Sequence, residues 1–197
     1  MSPEIMNLLS AVVGGLIAGV FSILATVVTL NHQKKKRKTE EEDLIFGLLQ
    51  AIYDEVDTLW SRFRDTSGSY IGNLEPGSAF LFLVPISQDY FIVYKNNAHL
   101  IGKIKDNDLR KAIVSTYTKG SGLIDSLRMN NLMVENVEHW HQMFLQTKDE
   151  THQSIMNTHI QQCAAYASKI SESYNDLKTE TEGLLRRLQQ KGVTYLK

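Results

Sequence analysis

The 197-residue chain has a single cysteine, Cys163, so it can form no internal disulfide. That agrees with a reducing compartment. It has three prolines, at 3, 76 and 85, and none from Ile86 to Lys197. Proline removes an amide donor and clashes with the preceding turn, so its absence permits very long helices. From Ile5 to Leu30 there is neither charge nor proline. Strand-like runs are scarce: Ala79–Val84 is apolar and aromatic, but no second run exists to pair with it. A buried strand without a partner leaves its backbone polar groups unsatisfied, so an extended or helical connector packed on a bundle is expected there.

The uncharged run predicts a single-pass transmembrane helix. Its 26 residues would be ~39 Å long as a helix, against a hydrocarbon core of ~30 Å. Five consecutive cations follow: Lys34, Lys35, Lys36, Arg37 and Lys38. A signal peptide would place its cations before a shorter apolar core. Cations beside a membrane segment stay on the cytoplasmic side, which puts Met1 outside and the rest of the chain in the cytoplasm. The same block would attract anionic lipid headgroups. The predicted organisation is an anchor over 1–33, a basic juxtamembrane block over 34–38 and a cytoplasmic helical domain over 39–197.

Whole-chain charge is −1, which hides a split: the part after the basic block has 16 cations against 21 anions. An acidic domain argues against nucleic-acid binding, which needs a basic face for phosphates.

Within the apolar run, small residues recur every fourth position. Ala11, Gly15 and Gly19 form one row; Gly14, Ala18 and Ser22 form another. Such rows let helix backbones approach closely in lipid, although glycine and alanine are also common in any membrane helix. The implied partners are the membrane and either a second copy or another membrane or helical protein.

Downstream, Thr39-x-x-Glu42 has the form of a capping box and predicts a helix restarting at Thr39 and running to about Asp65. The alternative is a membrane helix that continues straight through the basic block. Ile45, Leu49, Ile52, Val56, Leu59 and Phe63 make a heptad seam, with Phe46, Tyr53 and Trp60 beside it. Turn residues predict a loop over 66–77. Ser87 is placed to cap a helix to about Gly102, and Asp106 to cap the next. Leu109, Ile113, Thr116, Gly120, Leu123, Leu127, Asn130, Val134, Val137, His141 and Phe144 alternate four and three apart. Gly120 marks a bend or a close helix crossing. Thr147-x-x-Glu150 suggests another capping box. A last seam runs Met156, Ile160, Cys163, Ala167, Ile170, Tyr174, Leu177, Thr181, Leu184 and Leu188, and Gly192 closes it. The fold class expected is all-α: an N-terminal transmembrane helix, then an elongated helical bundle built on a long antiparallel hairpin.

Chemistry is thin. Glu138-x-x-His141 has di-iron spacing, but no second such motif accompanies it. His141 on the seam reads as a hydrogen-bonded core histidine, and Asn130 as a polar seam residue that sets register or oligomer state. Lys119-Gly120-Ser121-Gly122 lacks phosphate-loop spacing. Cys163 reads as a small buried hydrophobe. No nucleophile elbow, HExxH, CxxC or dinucleotide turn occurs. The expectation is therefore no catalytic residue, no cofactor and no metal. The alternative is a ligand-sensing or enzymatic pocket near residues 90–120, around Tyr90, Tyr94, His99 and Gly120.

Pro85-Ile86-Ser87-Gln88-Asp89-Tyr90-Phe91, Leu100-Ile101-Gly102-Lys103-Ile104 and Leu123-Ile124-Asp125-Ser126-Leu127-Arg128-Met129-Asn130-Asn131 carry a resemblance. Over the anchor and residues 40–135 the chain resembles a widespread group of uncharacterised bacterial single-pass membrane-anchored helical proteins. The resemblance implies a bacterial inner-membrane protein with a cytoplasmic helical domain, and no activity. In architecture alone the layout is also similar to membrane-anchored effectors of anti-phage systems. The function expected is non-enzymatic interaction or assembly at the membrane, with a phage-defence effector as one version.

Overall fold

The computed structural model describes residues 3–86 and 90–193, without the side chains of 4–18, 20 and 23–25. The described residues are all-helical, with no strand among them: α1 (Pro3–Phe63), a π-helical turn (Arg64–Gly68), α2 (Ser69–Gly72), α3 (Ile92–Ile101), α4 (Asn107–Thr147) and α5 (Glu150–Gln190). The chain divides into two compact units, Met1–Phe46 and Gly47–Lys197.

In the first unit α1 is unbroken. The expected restart at Thr39 does not occur. Thr39 Oγ1 instead donates back to Lys35 O at 3.2 Å, the bond a mid-helix threonine makes. Two i,i+4 ion pairs, Lys36–Glu40 at 3.8 Å and Lys38–Glu42 at 4.0 Å, lie across the same stretch. The carboxylates that looked like cap residues thus support the helix from outside. Among the described residues no helix is long and apolar enough to cross a membrane. Most side chains of the apolar run, including those of Ala11 and Ala18, lie outside the described residues.

The second unit is a three-helix bundle made of the C-terminal part of α1, α4 and α5. Lys191–Asp106 (2.8 Å) and Lys119–Glu180 (3.3 Å) pair the start of α4 with the end of α5, so the hairpin is antiparallel. Tyr53 accepts from Gln189 Nε2 at 2.9 Å, and Trp60 stacks on Tyr174 at 5.8 Å, so α1 runs antiparallel to α5. Trp60, Ile71, Phe80, Leu123, Leu127, Ile170 and Tyr174 share one core cluster.

The helix ends follow side-chain chemistry. Asp106 caps α4 as expected, accepting from Leu109 N at 3.0 Å and Asp108 N at 3.1 Å. The cap of α5 is Asp149, which accepts from Thr151 N at 2.8 Å; it is not Thr147. Thr147 is the last residue of α4 and bonds back to Met143 O. Lys148, left-handed at φ 56°, makes the turn between them. Gly192 (φ 81°) ends α5 with the paired bonds Gly192 N to Gln189 O and Val193 N to Leu188 O, a Schellman motif.

The loop expected over 66–77 is helical as far as Gly72. Its hydroxyls bond backwards, Thr66 to Arg62 O and Ser69 to Thr66 O, which keeps the backbone wound. Gly68 is needed there: a Cβ would stand 3.2 Å from Tyr174 Cε2 and 3.1 Å from Phe63 O. True turn geometry appears at Pro76-Gly77, where Ser78 N bonds Glu75 O and Gly77 has φ 82°. Ser87 lies outside the described residues, and α3 begins only at Ile92.

Candidate functional site

Two polar devices join the helices to the irregular chain between them. The first centres on Glu55 of α1. Its Oε1 accepts from Val93 N at 2.8 Å; its Oε2 accepts from Tyr94 N at 3.3 Å and from Tyr117 Oη at 2.7 Å. A carboxylate 38 residues upstream therefore caps α3, where negative charge and acceptor capacity are both favourable. The residue preceding α3 supplies no side-chain cap: it is Phe91, held left-handed at φ 67°, ψ 42°. That conformation costs a bulky residue about 1–3 kcal/mol and persists only where its surroundings hold it.

The surroundings are aromatic. Phe91 meets Tyr117 edge-on at 5.1 Å, and Tyr94 stacks on Tyr117 at 4.1 Å. A Cβ on Gly120 would lie 2.8 Å from Phe91 Cζ. Gly120 is thus the notch that seats the Phe91 ring, inside an uninterrupted α4. Burial, and then the bond to Glu55, push the Tyr117 hydroxyl above its ordinary range, so it stays a neutral donor. With three donors on its two oxygens, Glu55 acts as a tie between α1, α3 and α4.

The second device is Asn130-Asn131 on α4. Asn130 Nδ2 donates to Phe80 O at 3.0 Å and also lies 3.4 Å from Phe82 O. Asn131 donates to Val84 O at 2.8 Å and accepts from Val84 N at 3.0 Å. Asparagine has donors and an acceptor in the plane of its amide, so it can stand in for a strand partner. This is how the Phe80, Phe82 and Val84 carbonyls and the Val84 amide of the unpaired run Ala79–Val84 find partners. Asn130 is fully buried, and its Oδ1 has no hydrogen-bond partner.

A groove of about 520 Å³ lies between α3 and α4, lined by Tyr94, Ala98, Ile101, Arg110, Lys111 and Val114 among others. Arg110 is partly committed, donating to Ile104 O and Asn107 Oδ1 at 2.7 Å each. Among the described residues no three His, Cys, Asp or Glu side chains form a group that could hold a metal ion.

The sequence-predicted residues fall as follows. The side chains of Ala11 and Ala18 and the surroundings of Gly14 and Gly15 are outside the described residues. Gly19 faces open space, and Ser22 is exposed. Lys34, Lys35, Lys36, Arg37 and Lys38 are all exposed on α1. Asn130 is on the seam, where it fixes the connector. His141 is exposed; the half-buried position beside it belongs to Trp140, whose ring lies 5.5 Å from His152. Tyr94 joins the Glu55 cluster, whereas His99 is exposed. Cys163 is buried, and burial pushes its thiol up. Glu55 is the residue that sequence reasoning passed over. Its signal was a carboxylate three residues after Ile52 and next to Val56, on the flank of an apolar face, but its neighbours Asp54 and Asp57 are carboxylates too and hid it.

No protein family matches the chain, and no curated protein or solved structure is similar to it beyond chance.

Proposed function

We propose that this is a membrane-anchored, non-enzymatic helical protein that works by interaction or assembly at the cytoplasmic face of a bacterial inner membrane. The uncharged run 5–30 would span the bilayer once, with Lys34–Lys38 holding the following domain on the cytoplasmic side. The small-residue rows Ala11/Gly15/Gly19 and Gly14/Ala18/Ser22 would bring copies, or a partner helix, together in lipid. A phage-defence effector whose assembly perturbs the membrane is one form of this reading. The observation that carries it is the continuity of α1: one helix, Pro3–Phe63, bears the apolar run, the basic block and the first helix of the bundle.

Two measurements test it. The full chain should stay with membranes through an alkaline carbonate wash, and a chain starting at Lys34 should be released. Gly15→Ile with Gly19→Ile should reduce the assembled mass in mild detergent; unchanged assembly would refute the membrane-contact part.

A second reading is a ligand site in the groove between α3 and α4. Its apolar wall (Ala98, Ile101, Val114) beside Arg110 and Lys111 suits an anionic amphiphile. A long-chain fatty acid that shifts thermal unfolding of the wild type but not of Lys111→Glu would favour it.

A further inference from the structure

The charge of the second unit is unevenly spread. Residues 102–111, the turn into α4 and its start, and residues 186–193, the end of α5, carry seven cations against two carboxylates. The other described residues of that unit carry eight cations against fourteen carboxylates. The two cationic segments form one surface. Lys191 pairs with Asp106 at 2.8 Å, and Asp106, Asp108, Arg187 and Lys191 line one cleft. All seven cations but Arg110, which is half-buried, are exposed.

α1 enters the bundle at this same end. Leu48 and Leu49 are buried, and Tyr53 bonds Gln189 in the last turn of α5. Gly47 comes nine residues after Lys38, so even a fully extended chain keeps it within ~30 Å of the basic block. The hairpin tip is ~60 Å farther along α4, whose 41 residues rise ~1.5 Å each. A surface of anionic headgroups draws cations and repels carboxylates within a Debye length of ~8–10 Å. A body with one cationic end and acidic flanks is therefore oriented by such a surface as well as held on it. If Lys34–Lys38 lie at a bilayer, that bilayer is the anionic surface that connectivity brings to this end.

We infer that this end of the bundle, residues 102–111 with 186–193, is a docking surface for the anionic lipid headgroups of a bilayer. The inference rests on the membrane-anchored reading for its reach. It adds a second lipid contact, made by the helical domain and separate from Lys34–Lys38.

The test uses the full chain with Cys163→Ala, reconstituted in vesicles of phosphatidylcholine, alone or mixed with phosphatidylglycerol. A fluorophore is attached at Gln190→Cys on this end or at Gln146→Cys near the tip, both exposed positions. A nitroxide carried by some of the headgroups quenches it at short range. Quenching at position 190 should rise severalfold when phosphatidylglycerol is present and fall back in high salt. At position 146 it should not change. Lys111→Glu with Arg187→Glu should abolish the rise. Lys169→Glu with Lys178→Glu, an equal change of charge elsewhere on α5, should leave it, and so should Lys111→Arg with Arg187→Lys. Thermal unfolding of each variant checks that the bundle is intact. An anchored chain whose quenching at position 190 ignores lipid charge overturns this inference and leaves the anchored reading standing. A chain that binds anionic vesicles through this end but is released by an alkaline carbonate wash overturns the anchor and supports the docking surface. A chain that binds neither kind of vesicle overturns both. Tighter binding of a duplex oligonucleotide than of anionic vesicles, abolished by Lys111→Glu with Arg187→Glu, overturns the assignment to lipid.

Discussion

The two halves of the helical hairpin share one sequence pattern and differ in what covers them. α4 buries eleven residues between Leu109 and Val137 and none beyond; α5 buries eight between Cys163 and Leu188 and none before. The base is shielded by α1 and the connector. At the tip, Phe144, Met156 and Ile160 keep the seam spacing but stay half-buried. A heptad seam on two helices removes only part of each side chain from water, and it takes a third element to make a core.

That contrast can be tested by substitution. Ile113→Ala, at a fully buried base position, should lower the unfolding free energy of the chain by about 2–5 kcal/mol in a denaturant titration. Asn131→Ala strands the amide and carbonyl of Val84 and should cost about 1–3 kcal/mol; hydrogen exchange should rise at Val84. Met156→Ala at the tip should cost about 1 kcal/mol, roughly half the value of a fully buried side chain. A tip substitution as costly as the base one would break the comparison.

Acid adds a prediction of direction. Asp106 is held below the usual carboxylate range, first by Lys191 and then by the Leu109 amide. Asp149 at the tip is held low by Thr151. A depressed folded value means the stabilisation is present above the unfolded value of ~3.9 and is lost as pH falls through the folded one. Asp106→Asn should therefore flatten the loss of stability in acid. Asp149→Asn should do so less, because Asp149 has no lysine partner in its cap. Thermal unfolding measured from neutral pH down to below the carboxylate range checks this.

Much of the bundle was legible because helix pairs write themselves as spacing. The α4 and α5 seams, the Asp106 cap and the Gly192 stop read directly from residue type and period. The pattern failed at His141 because a straight helix drifts ~20° per heptad from a 3.5-residue repeat. With no third element at the tip, the inward position passed to Trp140. Thr39 and Thr147 misled for another reason: a threonine before a helix and a threonine bonding back inside one look alike in sequence. The Glu55 tie and the destination of Asn130-Asn131 were illegible because each joins segments 38 to 62 residues apart. No local spacing encodes such a contact. A charge or amide set against an apolar face was the trace left in the sequence.

The bond between Tyr53 and Gln189 spans 136 residues, which bears on how the protein is made. Synthesis delivers α1 first and the part of α5 that covers it last. The apolar face of Ile52, Val56 and Trp60 must therefore wait, uncovered, until nearly the whole chain has left the ribosome. The α4–α5 hairpin closes across only two residues, Lys148 and Asp149, and so can form on its own short contacts. Folding would end with α1 docking onto a finished hairpin. During that interval α1 is the surface most exposed to a chaperone or a second nascent chain.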